Sequence, residues 1–144
     1  MNAKRSSIFR RRVLAAYKLA ERKFEDDSDA LYERLVSIFQ KPNVARHAEM
    51  VGSSSTKWPI SNLIKFPSSA RRTVFEPVTK HHASVYSTST KFHDLALLSD
   101  APGRVAVVHK KSEFGPWLGL LSQAANVIDA DVPNSVFERI AEAA

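Results

Sequence analysis

The chain has no cysteine in its 144 residues. That removes disulfide staples, thiolate metal sites and cysteine nucleophiles together, and leaves the redox compartment undetermined. Glycine is scarce at 4 residues, and Gly52, Gly103, Gly115 and Gly119 fit neither a phosphate loop nor a dinucleotide fingerprint. Gly-x-Ser-x-Gly and His-Glu-x-x-His are absent as well. Ser, His and Asp are all present, but without a nucleophile elbow their coincidence in a chain this long carries no weight. There is also no long apolar run. The longest uncharged stretch, Phe114 to Ile128, is fifteen residues, broken by Gly115-Pro116 and carrying Ser122, Gln123 and Asn126. A span needs about 20 apolar residues, so no transmembrane segment is expected.

What the chain does have is charge in blocks. Residues 1–23 hold eight Lys/Arg against Glu21 alone, a net of +7. Residues 24–40 net −4, residues 41–111 net +7 and residues 112–144 net −4. Alternating basic and acidic regions point to a charged partner. A hydrophobic content of 44% with 25% charge is that of a globular protein rather than a disordered one.

The expected fold is mainly α in three regions: a basic N-terminal helical hairpin (1–51), an extended irregular partner-wrapping segment (52–103), and a short strand with C-terminal helices (104–144). In the first, Phe9, Val13, Ala16, Tyr17, Ala20 and Phe24 recur at spacings of three and four and make one apolar stripe over 6–24. Glu25 to Asp29 reads as a turn that caps a second helix, Ala30 to Gln40, which Pro42 stops. Two amphipathic helices on a short link imply an antiparallel pair. The middle holds a Ser53–Thr56 tract, Pro59, Pro67, Pro77 and Pro102, and a Ser/Thr-rich run from Ser84 to Thr90. A 50-residue stretch without regular pattern is unusual in a self-sufficient domain, so it is expected to wrap over a neighbour. Arg104 to His109, after Pro102-Gly103, reads as a strand. Pro116 opens a helix carrying Trp117 and Leu121, and Ser135 to Glu138 has the spacing of a capping box in a last short helix.

No catalytic, cofactor or metal residue is assigned. His81-His82 with His93-Asp94 matches no standard metal spacing and reads as surface or partner-contacting histidine. The expected partner-binding residues are Phe9, Arg10, Arg11, Arg12, Tyr17, Lys18, Trp58, Phe66, Arg71, Arg72, Phe75 and Trp117. The cations would orient the partner and the large side chains would anchor it. Against RNA, the aromatics Trp58, Phe66, Phe75, Tyr86 and Phe92, interleaved with the second basic block, would stack on bases.

Val13-Leu14-Ala15-Ala16-Tyr17-Lys18, followed by Arg34-Leu35 and Phe39, resembles the motif of the mitochondrial LYR-motif accessory proteins, with Ala16 where the family has Leu and Lys18 where it has Arg. The resemblance covers about forty residues. It implies a small basic helical subunit of a respiratory complex, with Tyr17, Lys18 and neighbouring arginines facing an acyl carrier protein. The N-terminus also has the Arg- and Ser-containing, acid-poor character of an organellar import signal. The expected function is therefore a non-catalytic accessory subunit of a large assembly in the mitochondrion, on the matrix side or inner membrane. Its partners would be other protein subunits, with an anionic lipid surface or RNA as alternatives for the basic face. The alternative functions are an RNA-binding protein of an organellar ribosome and a small virion structural protein.

Overall fold

The computed structural model describes residues 3–143, apart from the side chains of residues 3–9, 17 and 20. Among the described residues four α-helices and five strands run in the order α1 (Ala3–Phe39), β1 (Val44–Val51), β2 (Lys57–Lys65), β3 (Arg72–Pro77), α2 (His82–Ala96), β4 (Gly103–Val108), α3 (Trp117–Ala124), β5 (Asn126–Asp129) and α4 (Asn134–Ala143). The strands form one mixed sheet in chain order. β1, β2 and β3 are antiparallel neighbours, and β3, β4 and β5 are parallel, joined by α2 and α3.

This overturns the expected mainly helical fold. The central third is two strands and a helix, not an irregular wrap. Nor is there an N-terminal hairpin, because α1 runs straight through Glu25–Asp29. Residues 3–39 contain no Gly or Pro, and the acids lie within the helix on residues that tolerate it. Asp29 is held in place by Arg46 of β1, whose guanidinium also sits 4.7 Å from the centre of the Tyr32 ring.

β3 and β4 set the architecture. Thr73 to Pro77 and Val105 to Val108 are buried throughout, so both faces of these strands need cover. On one face α2 supplies Val85, Phe92 and Leu95, and α3 supplies Leu121, against Ile60, Val74 and Val108. On the other face Leu31 and Leu35 of α1 and Phe137 and Ala141 of α4 cover Ile64, Phe75 and Val107. Phe75 stacks on Phe137 with ring centres 5.9 Å apart. Arg34 fastens the second layer: its guanidinium lies 4.2 Å from the Phe137 ring centre, and it donates to the Ala130 and Val132 carbonyls and to Asn134 Oδ1.

One polar device interrupts the sheet. Ala48 and Ala45, three residues apart, both meet the α2/α3 layer, as do Ile60 and Leu63 opposite them. Strict alternation forbids that unless both strands slip by one at the same place. The slip falls at His47, whose φ is 54, and at Ser61, which lies across from it. The β2–β3 ladder stops at Asn62–Phe75. Beyond it the Glu76 carboxylate fills the split, accepting from Ser61 N–H at 2.9 Å, Ser61 Oγ at 2.5 Å and Lys91 Nζ at 3.0 Å. Lys91 also donates to the Pro59 carbonyl at 2.6 Å. Pro59 is tolerated inside β2 because this part of the strand has no β3 partner.

The Glu76 side chain is 5% exposed and that of Lys91 12%. Removing the cation leaves a buried carboxylate without its counter-charge, so Lys91→Ala is expected to lower unfolding free energy by about 3 kcal/mol in urea titration. A loss under about 1 kcal/mol would show that Ser61 alone satisfies Glu76.

Candidate functional site

Two halves of α1 live in different environments. From Leu31 onward the helix is packed on the sheet, whereas every described side chain from Arg10 to Asp26 is exposed. Residues 3–26 thus form an arm of about 36 Å. Val13, Phe24, Leu31 and Leu35 are spaced by 11, 7 and 4 residues, which places them on one helical line. Leu31 and Leu35 are 6% and 0% exposed, but Phe24 and Val13 are 38% and 52% exposed. One apolar stripe is therefore core in its second half and uncovered in its first. Arg11, Lys18 and Arg22 lie on the opposite side of the helix.

The arm leaves the body above the carboxyl ends of β3 and β4, the edge of a parallel sheet at which ligands commonly bind. Two adjoining hollows lie there, sharing Asp27, Val78, Thr79 and His109. The outer one is rimmed by Lys23 of the arm, Lys80 and His81 of the β3–α2 loop, and Glu113 before α3. Lys80 Nζ and Glu113 Oε2 approach to 3.5 Å across it. Lys110 and Lys111 follow β4 on the same edge.

Beside this rim three rings meet. Tyr86 and Trp117 are edge-to-face with centroids 5.2 Å apart, and His82 lies 6.1 Å from Tyr86 and 6.5 Å from Trp117. His82 is exposed, Tyr86 is 49% exposed and Trp117 is half-buried. α2 and α3 pack side by side, which is what brings residues 82, 86 and 117 together.

The expected partner-binding residues are not brought to one place. Arg10, Arg11, Arg12 and Lys18 are exposed on the arm. The side chains of Phe9 and Tyr17 lie outside the described residues. Phe75 is fully buried in the sheet, and so is Phe92, so neither can meet a base or a partner. Phe66 is half-buried, edge-on to Phe39 at 6.3 Å. Arg72 lies 3.4 Å from Asp100 at the opposite edge of the sheet, next to the exposed Arg71. Trp58 is half-buried with its indole Nε1 donating to Asp94 Oδ2 at 2.8 Å. Only Trp117 joins the new cluster. Its partners His82 and Tyr86 were legible as exposed aromatics, but their meeting across two helices was not.

Among the described residues no three His, Asp or Glu side chains converge as metal ligands. The Glu76–Lys91–Ser61 group has its acceptors and donors satisfied internally, as a structural ion pair does. No family profile, curated protein or solved structure matches the chain.

Asp94 latches the β1–β2 turn. It accepts from Trp58 Nε1, from Ser54 Oγ at 2.7 Å and from Ser54 N–H at 2.9 Å. These bonds, Trp58's foremost, hold its carboxyl below the usual 3.8. A depressed carboxyl stabilises above its unfolded value and loses that contribution as pH falls through the folded one. The Trp58 indole N–H resonance is therefore expected to titrate with a midpoint below 3.8, and Asp94→Asn should abolish the titration. A Cβ on Gly52 would overlap Asp94 Oδ2 and stand 2.9 Å from Trp58 Nε1. Gly52→Ala is expected to cost about 1–3 kcal/mol in urea unfolding and to shift the same resonance. An unchanged resonance would show that the latch yields without strain.

Proposed function

We propose that this protein is a non-catalytic subunit of a larger assembly, in which the α/β body is the platform and the first half of α1 the docking element. The observation that carries this reading is the apolar stripe that is core at Leu31 and Leu35 and uncovered at Phe24 and Val13. A solvated helical arm of this length has little stability of its own, since helices away from tertiary packing are marginal in water. Covering the stripe with a partner supplies the missing burial, and the +7 of residues 1–23 selects an anionic partner and speeds encounter. The absence of nucleophile, phosphate-loop and zinc signatures from the sequence is consistent with a docking role.

The test separates docking from folding. Val13→Asp with Phe24→Asp changes two exposed positions, so the isolated variant is expected to melt within about 2 °C of the parent. In native extracts of the source cells the parent chain should travel in a high-mass fraction. The double variant should be released toward its own 16.1 kDa. If the variant stays in the assembly, or the parent itself runs at monomer mass, the arm is not a docking element.

A further inference from the structure

We propose that the carboxyl edge of β3 and β4, together with the arm above it, binds single-stranded nucleic acid. The inference rests on the docking reading only in assigning the arm an anionic partner, and the body surface carries the rest. Three observations converge on one side of the molecule. The rings of His82, Tyr86 and Trp117 form an accessible aromatic cluster with separations of 5.2–6.5 Å. Lys23, Lys80 and His81 rim the adjoining hollow, which Asp27 also lines and where Glu113 pairs with Lys80 at 3.5 Å. The arm rises from the same rim, and Arg12, eleven residues before Lys23, lies on the same line of the helix as that hollow-lining lysine.

Phosphates and bases call for different groups, and this edge has both. Successive phosphodiesters need cations that accept an oxygen from any direction. Lys23 of the arm, Lys80 of the β3–α2 loop and Lys110 after β4 provide that, and the arginine forks of the arm suit phosphate oxygens as well. Unpaired bases need exposed ring faces, which Tyr86 and His82 present beside Trp117. A duplex keeps its bases stacked and out of reach, so the aromatic cluster favours the single strand. Stacking reads no base edge, and sequence preference is accordingly expected to be weak.

The probe is fluorescein-labelled dT20, followed by anisotropy from about 50 to 300 mM salt, with the dA20·dT20 duplex and poly-glutamate as competitors. The expected result is binding of dT20 that weakens steeply with salt and resists competition by the duplex. Tyr86→Ala, at an exposed position of α2, should weaken it about 5- to 150-fold at constant salt, the range seen for loss of one stacking ring. The double variant Arg12→Ala, Lys23→Ala should lower the log–log salt slope by about 1.4. Circular dichroism of each variant should match the parent. No binding of dT20 at 50 mM salt overturns the proposal. So does equal affinity for duplex, an unaltered affinity of Tyr86→Ala, or displacement by poly-glutamate that is indifferent to the Tyr86 substitution. Release of the Val13→Asp, Phe24→Asp variant from its assembly while dT20 fails to bind would sink this inference and leave the docking reading standing. Binding of dT20 as expected, with that variant retained in the assembly, would do the reverse.

Discussion

Two strands buried on both faces govern this molecule. β3 and β4 carry Val74, Phe75, Val105 and Val108 at or below 1% exposure, and a sheet so apolar is stable only between two layers. The need is met on one side by the two crossover helices α2 and α3. On the other side no crossover is available, and the chain uses its two ends: the second half of α1 and the short α4. The stacked Phe75 and Phe137, with the Arg34 guanidinium over the Phe137 ring, join those ends to the centre.

That solution has a functional consequence. Because the second half of α1 belongs to the core, the first half is aimed by it. A continuous helix transmits direction without a hinge, and residues 3–39 contain no glycine or proline to introduce one. The arm is therefore directed above the β3/β4 edge, where Lys23 and Asp27 already line the hollow, and a partner that covers its stripe would fix it there. Arg11, Lys18 and Arg22 lie opposite the apolar stripe on the same rod, so charge can guide approach while burial supplies holding energy.

The split between β2 and β3 is the other organising constraint. A carboxylate in this position would be costly if alone. Here Ser61 gives it a backbone and a side-chain donor, and Lys91 gives it a counter-charge. The β1–β2 pairing is interrupted at His47 and Ser61, and the Ser61 amide donates to Glu76 on the β3 side. Sheet irregularity and buried ion pair thus fall at the same place, beside Pro59, whose carbonyl accepts from Lys91.

Some of this was readable from residues alone. The charge blocks, the stripe through Val13 and Phe24, the strand after Pro102-Gly103 and the helix after Pro133 follow from composition and spacing, which act locally. The central strands and α2 did not follow. In α2 the buried line runs Val85, Thr88, Ser89, Phe92, Leu95, and the two hydroxyl residues break the apolar period that marks a helix. Strand β2 carries Pro59 and a one-residue slip, which erase its alternation. The turn expected at Glu25–Asp29 does not form, since acids there are compatible with a helix once Leu31 and Leu35 are buried and Arg46 answers Asp29. By itself the sequence determined which segments are basic, which are apolar and where helices must end at proline. Tertiary structure alone decided that Phe75 is core rather than anchor, that Glu76 meets Lys91, and that residues 82, 86 and 117 share a surface. Those outcomes depend on contacts between groups distant in the chain, and no local period encodes them.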